Sequence, residues 1–534
     1  MKRLILSVVG IVSVHFSLMA HAVNLSQDGT GQVLLYPYYN VNQGNITFVS
    51  VTNTENVAKA VKVRIREAVG GERVFDFTLY LSPRDVWVGA LTRQGDAIRV
   101  SVPADTTCSV PERSVLTAMD FSTDRISDSY DPDESGSQST SEVLERISEG
   151  YIEVFELAEL PTTDGAKDIA DAITHNRYSS TGAPEDCSVP VLFNETTGLG
   201  AILDSGTVSA GGVSQDFQPP GGGLYGSAAI FNSASGIYFP YNASALRRFA
   251  SNPIWWPQNS DVFSHVEGVA TAGEDSAGNA ISNYTTADSG STVPSAGGTL
   301  NRDLPDLSTP SISEVTADSS AYTAFTHVAA SDEQAINSGS FGGSVPNASF
   351  DKASAVSAAL TGNRIMGDYI TSDSYGTDWV VTFPTRYTKV SDTEVNPPFY
   401  SSETVATGKA CAFLLIDSWD REEKKNNDVF FMLPPNMANM CHAVNVLSAS
   451  NEVNGYSEVL SSKAVQYTLP LDFADGWGYI DMSAYSTTPT VFNAGDASGA
   501  ISGLPVLGFV AVADRVSGVE RGGVFPLRVT FDEQ

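Results

Sequence analysis

Apolar and polar residues alternate with a period of two through the early part of this chain, which predicts half-buried strands. Val61, Val63 and Ile65 interleave with Lys62, Arg64 and Arg66, and Phe75, Phe77, Leu79 and Leu81 interleave with Val74, Asp76, Thr78 and Tyr80. Val69-Gly70-Gly71-Glu72 lies between the two runs and reads as a hairpin turn. Two earlier apolar runs, 33–39 and 46–51, flank Asn42-Gln43-Gly44-Asn45. Short strands with turn signals at this spacing predict an immunoglobulin-like sandwich. The Lys62, Arg64, Arg66 row then belongs on a solvated outer face, where it discourages edge pairing or docks an acidic partner.

The pattern changes near residue 120. Residues 124–142 are acidic and Ser-rich and read as a loop, and Tyr151-Ile152-Glu153-Val154-Phe155 reads as a strand. From about 195 to 350 Gly, Ser, Ala and Thr dominate, so short strands are expected among long loops. A short helix begins near Lys352, and Trp379-Val380-Val381-Thr382-Phe383 is a strand stopped by Pro384. Strand patterns return at 411–416, 465–471, 477–480, 506–512 and 524–531. Pro526 in the last of these argues for an edge or a bulge. The expected class is mainly β: two or more immunoglobulin-like β-sandwich domains with long loops and few short helices. The expected division is a signal peptide at 1–22, a sandwich at 23–105, a β-rich region with long loops at 106–399, and a second sandwich at 400–534.

The signal peptide rests on Lys2 and Arg3, an apolar stretch to Met19, and Ala20-His21-Ala22 as the cleavage signal. It predicts an exported protein, extracellular, on the cell surface or in the periplasm. No later run of 18 apolar residues occurs, so no membrane span is expected after cleavage. The formal net charge is -32, which disfavours nucleic acid and anionic membranes as partners. Export makes disulfides the expected state of Cys108, Cys187, Cys411 and Cys441. Three pairings exist; Cys108–Cys187 and Cys411–Cys441 are preferred because each stays within one compositional region.

Asp131-x-Asp133-x-Ser135-Gly136, with Ser139 at the ninth position and Glu142 at the twelfth, matches much of a calcium loop. Gln138 stands where such loops carry an apolar residue, and Pro132 also departs from the pattern. Gly221-Gly222-Gly223-Leu224-Tyr225-Gly226 fits G-x-G-x-x-G but follows two prolines rather than a strand, so it reads as a turn and not a dinucleotide site. No G-x-S-x-G or H-E-x-x-H motif accompanies His175, His265, His327 and His442. Glu153 shares a strand face with Tyr151 and Phe155, which would desolvate it and raise its pKa. Asp417, Asp420, Glu422 and Glu423 surround Trp419. Trp255 and Trp256, with Tyr36-Pro37-Tyr38-Tyr39, are aromatic clusters that would stack on sugars or hold an apolar surface if exposed.

Five segments, GQVLLYPYY (31–39), EGYIEVFEL (149–157), TDWVVTFPTRY (377–387), DSWDREE (417–423) and the closing GWGYIDM with LPVLGFVAVAD, together resemble a family of exported or surface proteins from proteobacteria with no assigned activity. The resemblance implies export and a single unit of family-wide length, and it brings no catalytic residues. The functional expectation is an exported non-enzymatic surface or extracellular-matrix protein that adheres or assembles, with surface proteins, matrix proteins or glycans as partners. The alternatives are a secreted carbohydrate-active or other carboxylate-using hydrolase, and an extracytoplasmic binding protein for sugars or apolar ligands.

Overall fold

The computed structural model describes residues 23–530 apart from 124–125, 127–138, 164–167, 177, 179–181, 197–205, 251–252, 256–257, 259–272, 275–279, 282–305, 308–351, 372–373, 389–398, 400–410, 426–436, 450–454, 470, 472, 484–485, 488–500 and 515–519. The signal segment, Asp131, Asp133, Ser135, Trp256, His265 and His327 lie outside the described residues. The described chain is mainly β, with four large sheets and few short helices.

Sheet I has seven strands in the order Asn24–Leu25, Ser244–Arg247, Val33–Asn40, Glu149–Leu160, Ala58–Glu67, Arg73–Leu81 and Cys108–Val110. The alternating runs around Val63 and Phe77 form its hairpin, turned through Gly71, whose φ of 82° disfavours residues with a Cβ. Pro37, which has no N–H, falls where the pairing of Val33–Asn40 slips between Tyr36 and Tyr39. Sheet II runs Tyr238–Asn242, Leu224–Asn232, Asn45–Asn53, Val86–Gln94 and Ala97–Ser101. Strands from beyond residue 105 therefore lie inside both N-terminal sheets, and Glu149–Leu160 is central in sheet I.

Sheet III runs Met437–Met440, Ala412–Asp420, Asp475–Asp481, Arg364–Ile370 and Arg528–Thr530. Sheet IV runs Gln466–Thr468, Val444–Ser448, Tyr375–Thr382, Leu507–Asp514 and Arg521–Pro526. Pro526 ends an edge strand, where its missing donor costs no ladder bond.

Three apolar cores order these layers. Val63, Phe77 and Val154 of sheet I meet Val51, Trp87 and Ile230 of sheet II, and Val444 and Phe509 of sheet IV join the same core. The other face of sheet IV, with Trp379 and Val510, packs on Ile365, Leu414 and Ile480 of sheet III. The second face of sheet I, with Val33, Tyr80 and Phe155, is covered by the short helices Ile169–Ala172 and Ser188–Thr196, by Trp255 and by the helix Lys352–Leu360.

Sheet I is thus buried on both faces, and Ala58–Glu67 is buried at every position. The Lys62, Arg64, Arg66 row is not the solvated outer face that its alternation predicts, because Gln258 and Tyr387 close over it. Both disulfides form, Cys108–Cys187 and Cys411–Cys441. They point to an oxidising, extracytoplasmic compartment. Cys108-Ser109-Val110-Pro111 and Cys187-Ser188-Val189-Pro190 share their sequence but no conformation. Cys108-Ser109-Val110 is an edge strand, whereas Ser188 opens a helix with Pro190 in its first turn, where proline is tolerated. Among the described residues no helix is long and apolar enough to cross a membrane.

Candidate functional site

The charged row on Ala58–Glu67 is an internal network. Register places Arg64 between Asp76 and Glu153, with Lys62 beside Thr78 and Phe155. Asp76 receives Lys62 at 2.9 Å and Arg73 at 3.2 Å, with Arg64 at 3.9 Å. Arg66 Nε lies 2.7 Å from Glu153 Oε2, and its guanidinium sits 3.5 Å above the Tyr387 ring. Burial pushes the Asp76 carboxyl up, but Lys62, Arg73 and Arg64 overcome it and hold the group well below the ordinary carboxylate range. Burial lowers the Lys62 ammonium to about 8 against the pull of Asp76. Glu153 is raised, as expected from its strand face, with desolvation outweighing Arg66 and Arg64.

The glycine run Gly221 to Gly226 is a turn leading into a strand. Gly222 and Gly223 take φ of 93° and 75°, and the backbone N–H groups of Gly221 and Gly222 donate to Glu156 at 3.1 and 2.7 Å. The cradle therefore holds an internal carboxylate, which also pairs with Lys59 at 2.6 Å. Burial raises Glu156 to about 7, against Lys59 and the Gly222 amide.

Other sequence candidates are absorbed by the fold. Trp255 is 1% exposed and stacks among Phe193 and Phe217, with its indole N–H donating to the Tyr80 hydroxyl at 3.0 Å. It is a core residue and not a ligand platform, and Tyr36, Tyr38 and Tyr39 are buried as well. Ser139 and Glu142, the last two oxygens of the calcium pattern, form a capping box that starts the helix Thr140–Ile147. Their S-x-x-E spacing is a helix-start signal that the calcium reading overlooks. Among the described residues no group of three or more His, Cys, Asp or Glu side chains could hold a metal ion.

The structure gathers one constellation that the sequence hides. Ser82 Oγ lies 3.1 Å from His175 Nδ1, and Asp85 Oδ2 lies 3.7 Å from the same nitrogen. A nucleophilic relay needs serine and acid on opposite ring nitrogens. Here both meet Nδ1, and Ser82 is 5% exposed, so the trio is a loop anchor. His442 is buried, with Nδ1 2.9 Å from the Tyr467 hydroxyl.

Among the described residues, two sheet faces remain open. On the outer face of sheet II, alternate positions of its first four strands carry Tyr238, Pro240 and Asn242; Tyr225, Ser227, Ala229 and Phe231; Ile46, Phe48, Ser50 and Thr52; and Val86, Val88, Ala90 and Thr92. None is charged. Phe48, Val86, Val88, Tyr225 and Tyr238 are exposed by 39–50%, around a depression of 390 Å³. At the margin lie the Arg99–Asp120 pair, Asp85, which accepts the Val86 N–H, and Asp105, which accepts the Val88 N–H.

The outer face of sheet III differs in chemistry. Trp419 and Trp477 are cross-strand partners whose rings stack at 4.5 Å and 10°. Tyr479 donates to Asp417 at 2.6 Å, Lys425 pairs with Asp417 at 2.9 Å, and the Arg364 guanidinium lies 4.3 Å from the centre of the Tyr479 ring. Asp417 thus meets Tyr479 and Trp419 meets Trp477, two aromatic residues that the sequence pattern around Trp419 leaves unmarked. Their spacing of two, on the same strand face as Asp481, is the signal that would have found them. No protein-family model, curated protein or solved structure matches this chain.

Proposed function

We propose that this is an exported, non-enzymatic surface or extracellular-matrix protein that assembles through the outer face of sheet II. One observation carries the reading: fifteen outward positions on four adjacent strands lack any charge in a chain of net charge -32. Two copies repel wherever their acidic surfaces meet, and this face lets them approach without that cost. Exposed contiguous apolar surface of this kind marks interaction sites. Such a face suits isologous pairing, in which the same patch serves both partners. The immunoglobulin-like reading of the two sheet pairs belongs to the same proposal, supported by antiparallel sheets closing around shared cores. Against a carboxylate hydrolase stands the pairing of the buried acids Asp76, Glu153 and Glu156 with cations; a glycosidase needs two carboxyls opposed across a substrate cleft.

Sedimentation velocity of the exported chain over a range of concentrations tests this. Self-association is expected, and Val88→Glu or Tyr238→Glu should return the chain to monomer without lowering its melting temperature. A chain that stays monomeric at every concentration would sink the proposal.

A further inference from the structure

We propose that Trp477 and Asp368, on the outer face of sheet III, form a binding subsite for a neutral saccharide. Trp477 is 40% exposed, and one of its ring faces is taken by Trp419. A parallel stack at 4.5 Å between residues on adjacent strands sets both planes across the line joining the strands, whose spacing is about 4.8 Å. The second face of Trp477 therefore looks toward the strand Arg364–Ile370. Its register partner there is Asp368, which is exposed. The next strand, Arg528–Thr530, pairs only with Arg364, Ile365 and Met366, so among the described residues no strand flanks Asp368 on its far side. An aromatic wall, a carboxylate floor and an open side result.

The chemistry of this corner selects its ligand. An indole face carries negative quadrupole density and accepts the weakly positive C–H face of a pyranose ring. Asp368 is an acceptor only, so it calls for hydroxyl donors. Asp417 and Asp481 are paired with Lys425 and Arg364, so Asp420 and Asp368 itself set the sign of the field here. A donor-rich uncharged sugar complements this field, and a polyanionic glycan does not. The Trp419 stack, the Tyr479–Asp417 hydrogen bond and the Arg364 contact fix the rings before any ligand arrives, which limits the ordering cost of binding.

The test uses the full exported chain, with tryptophan fluorescence and calorimetric titration against cellohexaose, N-acetylchitohexaose and mannohexaose, and trigalacturonate as the anionic control. At least one neutral sugar should shift the emission and release heat. Trp477→Ala should weaken that binding by about tenfold or more. Asp368→Asn should weaken it with an unchanged melting temperature, and Trp477→Phe keeps a ring should the alanine variant fail to fold. Silence from all three neutral sugars, equal binding of trigalacturonate, full binding by a folded Trp477→Ala, or full binding by Asp368→Asn would overturn the proposal. Val88→Glu on sheet II should leave sugar binding intact, so this proposal and the assembly reading fail separately.

Discussion

Arg66 and Glu153 meet across neighbouring strands of sheet I, with Nε 2.7 Å from Oε2 and both side chains at most 5% exposed. Both lie out of water, with the Tyr387 ring over the guanidinium, and each is tolerated because the other is there. Removing one partner leaves a buried charge, so Glu153→Leu or Arg66→Leu should each cost about 3–5 kcal/mol. The double variant should cost clearly less than the two singles added. Urea unfolding of the four proteins in a double-mutant cycle reads the coupling, and strict additivity would show that the pair does not act as a unit.

Glu156 gives the protein a pH dependence of opposite sign to ordinary acid denaturation. Its folded pKa is raised to about 7, above the unfolded carboxylate value, so the folded state binds more protons between these limits. Stability from this group is therefore greatest at low pH and falls as pH rises from about 4.5 to 7, by roughly 3 kcal/mol. Glu156→Gln should flatten that interval while Lys59 keeps Glu159 at 2.9 Å. Unfolding free energies at pH 5 and pH 8 give the check. Asp76 acts in the other direction: its lowered pKa adds stability above the unfolded carboxylate pKa, and that stability is lost as pH falls.

The legible part of this fold is what one strand pair determines by itself. The hairpin around Gly71, the edge strand ending at Pro526 and the helix beginning at Lys352 all follow from local pattern and turn chemistry. What covers a face is set by distant chain, and no window of residues encodes it. Lys62, Arg64 and Arg66 look like a solvated face because the cover arrives some 190 or more residues later, as the Lys62–Gln258 hydrogen bond shows. The burial of Trp255 is hidden for the same reason, its partners Tyr80, Phe193 and Phe217 being far away in sequence. Ser139 and Glu142 were legible but ambiguous, since oxygen side chains three apart suit a helix cap as well as a cation.

The Cys108–Cys187 bridge closes a loop of 79 residues and ties the edge of sheet I to the helix Ser188–Thr196. A cross-link of that span restrains the unfolded chain enough to add about 4 kcal/mol. Cys187→Ser should lower stability by that order and expose the depression lined by Thr107, Glu112, Arg113 and Pro184 to proteolysis. Differential scanning calorimetry with limited proteolysis measures both. An unchanged melting temperature would mean that apolar packing around Phe193 alone holds this region.

Glu149 fastens the N-terminal sheets to the segment leading into sheet IV. One carboxylate oxygen accepts the Tyr38 hydroxyl and the Ser462 hydroxyl, each at 2.7 Å; the other accepts the Lys463 and Ala464 N–H groups at 2.8 and 2.7 Å. Burial raises its pKa, and these four donors oppose the rise. Glu149→Ala removes both accepting oxygens, so the Lys463 and Ala464 N–H groups lose their partner at about 1–3 kcal/mol each, whereas Glu149→Gln keeps one oxygen for them and turns its NH2 to the two hydroxyls. In the alanine variant the melting temperature should fall, and amide exchange should quicken at Lys463 and Ala464 before it does in Val444–Ser448; the glutamine variant should exchange more slowly than the alanine one. Unchanged protection at 463 and 464 in Glu149→Ala would show that the shared apolar core of sheets I, II and IV, and not this carboxylate, holds the two halves together.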